Sequence, residues 1–191
     1  MKNIILASKS PRRIALLRKI GLKFKVEASK YSENLNLKLE PRSLVRVLSA
    51  GKAECVAARH KNAIIIAADT VVVIRGKILG SPRSKTEAKK MLKMLSARSH
   101  KVITGFTIID TETGRKISGA EETKVFFRKL SGEEIESYVN SGEPMGKAGA
   151  YAVQGLGAVI VRRIEGDYFN VVGLPLNSLT EALKKFGVSV L

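Results

Sequence analysis

Apolar positions in this chain fall into short runs separated by stretches with a three-to-four-residue repeat, the pattern of strands alternating with amphipathic helices. The run Asn3-Ile4-Ile5-Leu6-Ala7 breaks into the polar turn Ser8-Lys9-Ser10, after which Ile14, Leu17 and Ile20 share one helical face that Gly21 closes. Ser10 can cap this helix, and Pro11 takes the first helical position, where its missing N–H costs nothing. A second helix is predicted from Glu40 to about Arg59, with apolar residues at 44, 47, 48, 55 and 56 and Lys52 in its middle. Ala63 to Ile74 is almost continuously apolar, as in a strand buried on both faces. Ser84 and Glu87 have capping-box spacing ahead of Ala88, Met91, Leu92 and Leu95, and Ser131 and Glu134 repeat it ahead of Ile135, Tyr138 and Val139. Between these helices, 102–109 and 123–128 predict antiparallel strands, with a Thr-Glu-Thr-Gly turn at 111–114. Two more strands are predicted near 151–164 and 168–173, and a last helix carries Leu179, Ala182, Leu183 and Phe186. With no long polar linker to divide it, the chain predicts one α/β domain over 1–191, a mixed twisted sheet with flanking helices.

Composition narrows the class. A chain of 191 residues, 45% of them hydrophobic, can bury a proper core. No apolar run reaches membrane-spanning length and the N-terminus lacks a signal-peptide pattern, so a cytoplasmic protein with no membrane partner is expected. The single cysteine, Cys55, excludes an internal disulfide and is expected in the core, while His60 and His100 give no zinc-ligand spacing. The formal charge of +17 points to a polyanionic partner, nucleic acid or nucleoside triphosphate. Because the basic residues are spread along the chain, a lysine-rich solvated surface explains the same charge. Aromatic residues make up only 5%, leaving few stacking surfaces for single-stranded RNA, so no obligatory nucleic acid is expected.

Three segments carry candidate chemistry. Arg12 and Arg13 lie in the first turn of a helix, where cations oppose the helix dipole. An anion bound there would meet free N–H groups, serine hydroxyls and two guanidinium forks. A surface turn with solvated arginines satisfies the same residues. Asp69, followed by Thr70, lies inside the apolar run 63–74, where a charged carboxylate needs a partner, a metal or a cleft. It is read as a metal or base carboxylate, or as a turn cap between two short strands. The segment from Gly146 to Gly155 combines small residues with Lys147 and the only glutamine of the chain, Gln154. Glycines there permit close backbone approach to a ligand, yet the spacing is that of neither a Walker loop nor a dinucleotide fingerprint.

Six segments in order, LASKSPRR at 6–13, Lys52-Ala53, AADT at 67–70, HKVITG at 100–105, KAGAYAVQG at 147–155 and NVVGLPL at 170–176, closely resemble the Maf family of nucleotide pyrophosphatases. The resemblance implies a metal-dependent cytoplasmic enzyme, often dimeric, that cleaves a nucleoside triphosphate between its α and β phosphates. It also implies two lobes around a cleft, an architecture related to the inosine triphosphate pyrophosphatases. By matching position, Ser8, Arg12, Arg13 and Lys52 are expected to bind phosphate, with Lys147 beside them. Asp69 is expected to accept the proton, and Glu33 with Asp69 to hold a divalent ion, Mg²⁺ or Mn²⁺. Arg12, Thr70 and Gln154 look like the subgroup acting on dTTP, UTP and modified pyrimidine nucleotides. A glutamine amide suits a uracil or thymine edge, though it can equally brace a loop. Ser81 stands where the family carries lysine and Gly146 where it carries aspartate; Lys77 or Arg83 could supply the missing cation. A protein that holds nucleotide or RNA in the same cleft without turnover is the alternative from another class.

Overall fold

The computed structural model describes residues 2–34 and 37–191. Its centre is β3, Ala63–Ile74, paired along most of its length with β5, Ser99–Asp110, which pairs in turn with β6, Lys116–Phe127. β7, Val161–Glu165, extends the antiparallel side beyond β6. On the other side, β1, Asn3–Leu6, runs parallel to β3 and to the two-residue β2, Lys25–Val26. The short β4, Lys77–Leu79, folds back on the end of β3. The mixed sheet expected from the sequence is therefore present, in the order β2-β1-β3-β5-β6-β7 with β4 beside β3.

Successive side chains of a strand point to opposite faces, and here the faces have different covers. The residues in register with Ile65, Ala67 and Val71 pack under α2, Pro41–Ala57, whose Val45, Ala53 and Val56 are completely buried. The opposite face, with Ile64, Ile66 and Ala68, packs against α1, Pro11–Lys19, and α6, Leu176–Lys184. Farther along that face, Val72, Val102 and Val125 meet α3, Lys85–Leu95, and α4, Gly132–Asn140. No helix among the described residues is long and apolar enough to cross a membrane.

The position of α2 depends on one absent side chain. A Cβ at Gly105 would lie 2.4 Å from the carbonyl oxygen of Val45 and 2.5 Å from its carbon, so the helix backbone rests directly on β5. Hydroxyls pin it further: the buried Ser49 Oγ lies 2.8 Å from the buried Thr107 Oγ1, which lies 2.8 Å from Ser118 Oγ.

The predicted strand at 168–173 is instead a short helix, α5, Tyr168–Val172. Asp167 caps it by accepting from the Phe169 N–H, and Gly173 at φ 123° ends it. A short apolar run has no period to distinguish the two states. Of the predicted 151–164 strand, the structure has only β7; Tyr151, Ala152 and Val153 are buried as loop instead. Ser131 and Glu134 form the full capping box, whereas the Glu87 carboxylate passes Ser84 and accepts from the Arg83 N–H. Cys55 is half-buried, not core, and hydrogen bonds from Ser29 and the Lys30 backbone draw its thiol pKa down.

Gly105→Ala should destabilise the fold by about 1–3 kcal/mol, the usual cost of overpacking, read as a drop in thermal midpoint. Gly132→Ala, where an added methyl meets nothing within 4 Å, should leave the midpoint unchanged or higher. Equal midpoints for wild type and Gly105→Ala would show that α2 does not depend on this contact.

Candidate active site

The site begins at a gap in the sheet. β1 accompanies β3 only to Leu6 opposite Ile66, and β4 joins it only from Val72 opposite Leu79. Along that edge, 67–71 has no strand neighbour among the described residues, so backbone carbonyls there need other partners. Arg13 supplies one: Nη1 donates to Ala68 O at 2.8 Å, Nη2 to Thr70 Oγ1 at 2.9 Å and Nε to Gly173 O at 2.8 Å. Its guanidinium thus joins α1, β3 and the end of α5. Thr70 Oγ1 lies 2.9 Å from Thr104 Oγ1, which donates to Asn170 O at 3.0 Å. Asn170 is fully buried, and its amide nitrogen donates to Val102 O and Thr123 Oγ1.

A cavity of about 730 Å³ opens at this gap. Arg12, Arg13, Glu33, Lys52, Asp69 and Thr70 all line it, and Val72, Val102, Tyr151 and Val172 add apolar walls. Asp69 and Thr70 are consecutive and so face opposite sides of the sheet, Asp69 toward α2 and Thr70 toward α5. From α2 the Lys52 ammonium contacts Asp69 Oδ1, and it lies 2.6 Å from Glu33 Oε1. Asp69 has 7% of its side chain exposed, Lys52 13% and Glu33 45%, so the triad runs from interior to mouth. Burial pushes the Asp69 carboxyl above the ordinary carboxylate range, and the charges of Lys52 and Arg13 oppose that rise.

Arg12 behaves differently from its neighbour. Its guanidinium makes no hydrogen bond or ion pair within the described residues; burial draws its pKa down, and the Glu143 carboxylate opposes that fall. An anion entering the cavity would restore what burial removes.

Three expected site residues do not line the cavity. Ser8 is buried and its Oγ accepts from the Ser10 N–H at 3.2 Å, inside the turn that precedes α1. Lys147 donates to the carbonyl of Glu143 and is drawn down in pKa by burial and then by Arg12. Gln154 is exposed at the head of the 3₁₀ turn 155–159. Ser81 and Gly146, where the chain departs from the family pattern, do line the cavity, as does Arg83; Lys77 does not.

Sequence reasoning gave no role to several residues that shape the site. Tyr151 packs edge-on against His100 and Phe127, and its hydroxyl lies 2.7 Å from His100 Nε2. Burial pushes His100 down to about 4, so the ring is neutral at pH 7 and fixes the cavity wall. Glu143 accepts from Tyr138 OH and from the N–H groups of Leu156 and Gly157, anchoring the loop after Tyr151. Tyr151 and Asn170 stood inside the motifs, yet only their burial and partners reveal what they do.

The family model described as Maf-like protein matches residues 3–186. A dTTP/UTP pyrophosphatase of Methanosarcina barkeri is 50% identical over 191 residues, covering 100% of this chain and 97% of the relative. One of Carboxydothermus hydrogenoformans is 51% identical over 184 residues, covering 96% and 98% respectively. One of Thermoanaerobacter pseudethanolicus is 52% identical over 183 residues, covering 95% of each. The solved structure of the Staphylococcus aureus Ham1 protein shares the fold, with a TM-score of 0.57 at 14% identity, over 97% of this chain and 100% of that one.

The two arginines should separate experimentally. Arg13→Ala removes three charge-assisted contacts and should cost roughly 3 kcal/mol or more of stability. Arg12→Ala should leave the thermal midpoint near wild type and weaken binding of inorganic tripolyphosphate by calorimetry. A stable Arg13→Ala, or an Arg12→Ala with unaltered anion affinity, would contradict this division.

Proposed function

This chain belongs to the Maf family, and we propose that it hydrolyses nucleoside triphosphates, dTTP and UTP foremost, to the monophosphate and pyrophosphate. The observation that carries the reaction class is the meeting of Asp69, Lys52, Glu33 and Arg12 in one cavity large enough for a nucleotide. The substrate reading rests on the dTTP/UTP pyrophosphatase relatives, matched across the chain at about half identity. We read 1–191 as one domain and its compartment as the cytoplasm, where the nucleotide pool lies.

The donor set suits a hard divalent cation. Glu33 and Asp69 offer carboxylate oxygens, and the Lys52 ammonium already sits between them as a stand-in cation. Mg²⁺ commonly takes only one or two protein carboxylates and completes its shell with water and substrate phosphate. When bound, such an ion would polarise phosphate oxygens and lower the pKa of water. Asp69 accepts the proton of the attacking water; burial raises its basicity, and the charges of Lys52 and Arg13 oppose that rise. Arg12 binds and neutralises the triphosphate, and Lys52 steadies charge that builds on the pyrophosphate as the α–β anhydride bond breaks. Arg13, committed to three partners in its own chain, positions the opening turn of α1. Thr70, bonded to Arg13 and Thr104, fixes the floor beside it.

The reading predicts that pure protein with Mg²⁺ or Mn²⁺ releases pyrophosphate from dTTP and UTP, with kcat/KM at least about tenfold above purine triphosphates. Absence of pyrophosphate from every canonical and modified triphosphate tried, with tight salt-sensitive RNA binding instead, would overturn it in favour of a binding protein.

A further inference from the structure

A charged Asp69 inside an apolar strand needs a cation against it, and the one in direct contact is part of the chain. The Lys52 ammonium holds Asp69 from the middle of β3 and Glu33 from the loop before α2. Both carboxylates belong to the pair read above as metal ligands, and the inference rests on that reading. A lysine ammonium is a compact point charge with three donors on a flexible stem. It therefore satisfies the same oxygens that a divalent ion would need, and the two cations exclude each other by sterics and by like-charge repulsion.

We propose that Lys52 is the resident counter-cation of the nucleotide-free site, exchanged for the divalent ion when the triphosphate arrives. Polyphosphate gives the displaced ammonium a new anionic partner in the same cavity, and the ion takes over Glu33 and Asp69. Metal and nucleotide therefore load together, each favouring the other, because coupling between two ligands is reciprocal. Metal alone meets an occupied site. The exchange needs only rotation of one side chain, since α2 is fixed by the Gly105 contact and by the Ser49–Thr107 hydrogen bond.

The test is Mn²⁺ binding to nucleotide-free protein, followed by electron paramagnetic resonance with Mn²⁺ as the sole added ligand. Lys52→Met should bind Mn²⁺ at least about tenfold more tightly than wild type, within the usual range of coupling effects. Adding Glu33→Gln to that variant should abolish the gain, and Lys52→Arg, which keeps a cation there, should bind as weakly as wild type. If Lys52→Met melts below the assay temperature, Lys52→Gln makes the same comparison. Affinity in the neutral variants equal to or weaker than wild type would overturn the exchange. Should that occur while wild-type turnover needs a divalent ion and falls in Glu33→Gln, the exchange alone fails. Turnover independent of both the ion and Glu33 would remove the metal reading beneath it.

Discussion

An ionised carboxylate in the middle of an apolar strand must be compensated where it stands, and much of this structure follows from Asp69. Removing one partner of a buried ion pair typically costs about 3–5 kcal/mol, so α2 has to bring Lys52 close and keep it there. Gly105, opposite Asp69 in the β3–β5 register, removes the side chain that would hold the helix away. The same glycine that permits tight packing thus permits the charge pair, and packing and chemistry share one constraint.

The second constraint is the stretch of β3 that, among the described residues, has a strand neighbour on one side only. A strand edge with open carbonyls in a partly enclosed site would be unstable if left unsatisfied. Arg13 closes it from α1, and Thr70, Thr104 and Asn170 continue the polar contacts behind it. Because neighbouring strand residues face opposite ways, the gap delivers Asp69 to one side and the arginine-braced Thr70 to the other. A cavity lined by both carboxylates and cations, with Asp69 and Lys52 in its depth and Glu33 toward its mouth, results from these two facts.

Much of this was legible in the residues. The continuous apolar run 63–74 reads as a buried strand because both faces are covered, and the periodic faces of α2, α3, α4 and α6 identify them as helices. The run at 168–173 was not legible, since five residues with an aspartate cap and a closing glycine resemble a short strand until tertiary contacts place them. Arg12 and Arg13 are indistinguishable in sequence: they are adjacent, identical, and in the same helical turn. Only the carbonyls of the β3 gap and of Gly173 separate Arg13, bonded to its own chain, from Arg12, which makes no such bond among the described residues. Asp69 stands out by its place in the apolar run and Glu33 only through the family resemblance, but nothing in the spacing of these two and Lys52 reveals that one ammonium would join both carboxylates.

In the proposed function, binding charge and chemical charge are divided, with the cations gripping the triphosphate and Asp69 taking the proton. The most direct measurement is Asp69→Asn, with single-turnover rates on dTTP set beside the affinity for a non-hydrolysable dTTP analogue. The account predicts that turnover falls by about a hundredfold or more, as for loss of a general base. Affinity measured without added divalent ion should be unchanged or tighter, because a negative charge in the phosphate-binding cavity has gone. Near-normal kcat in that variant would contradict it.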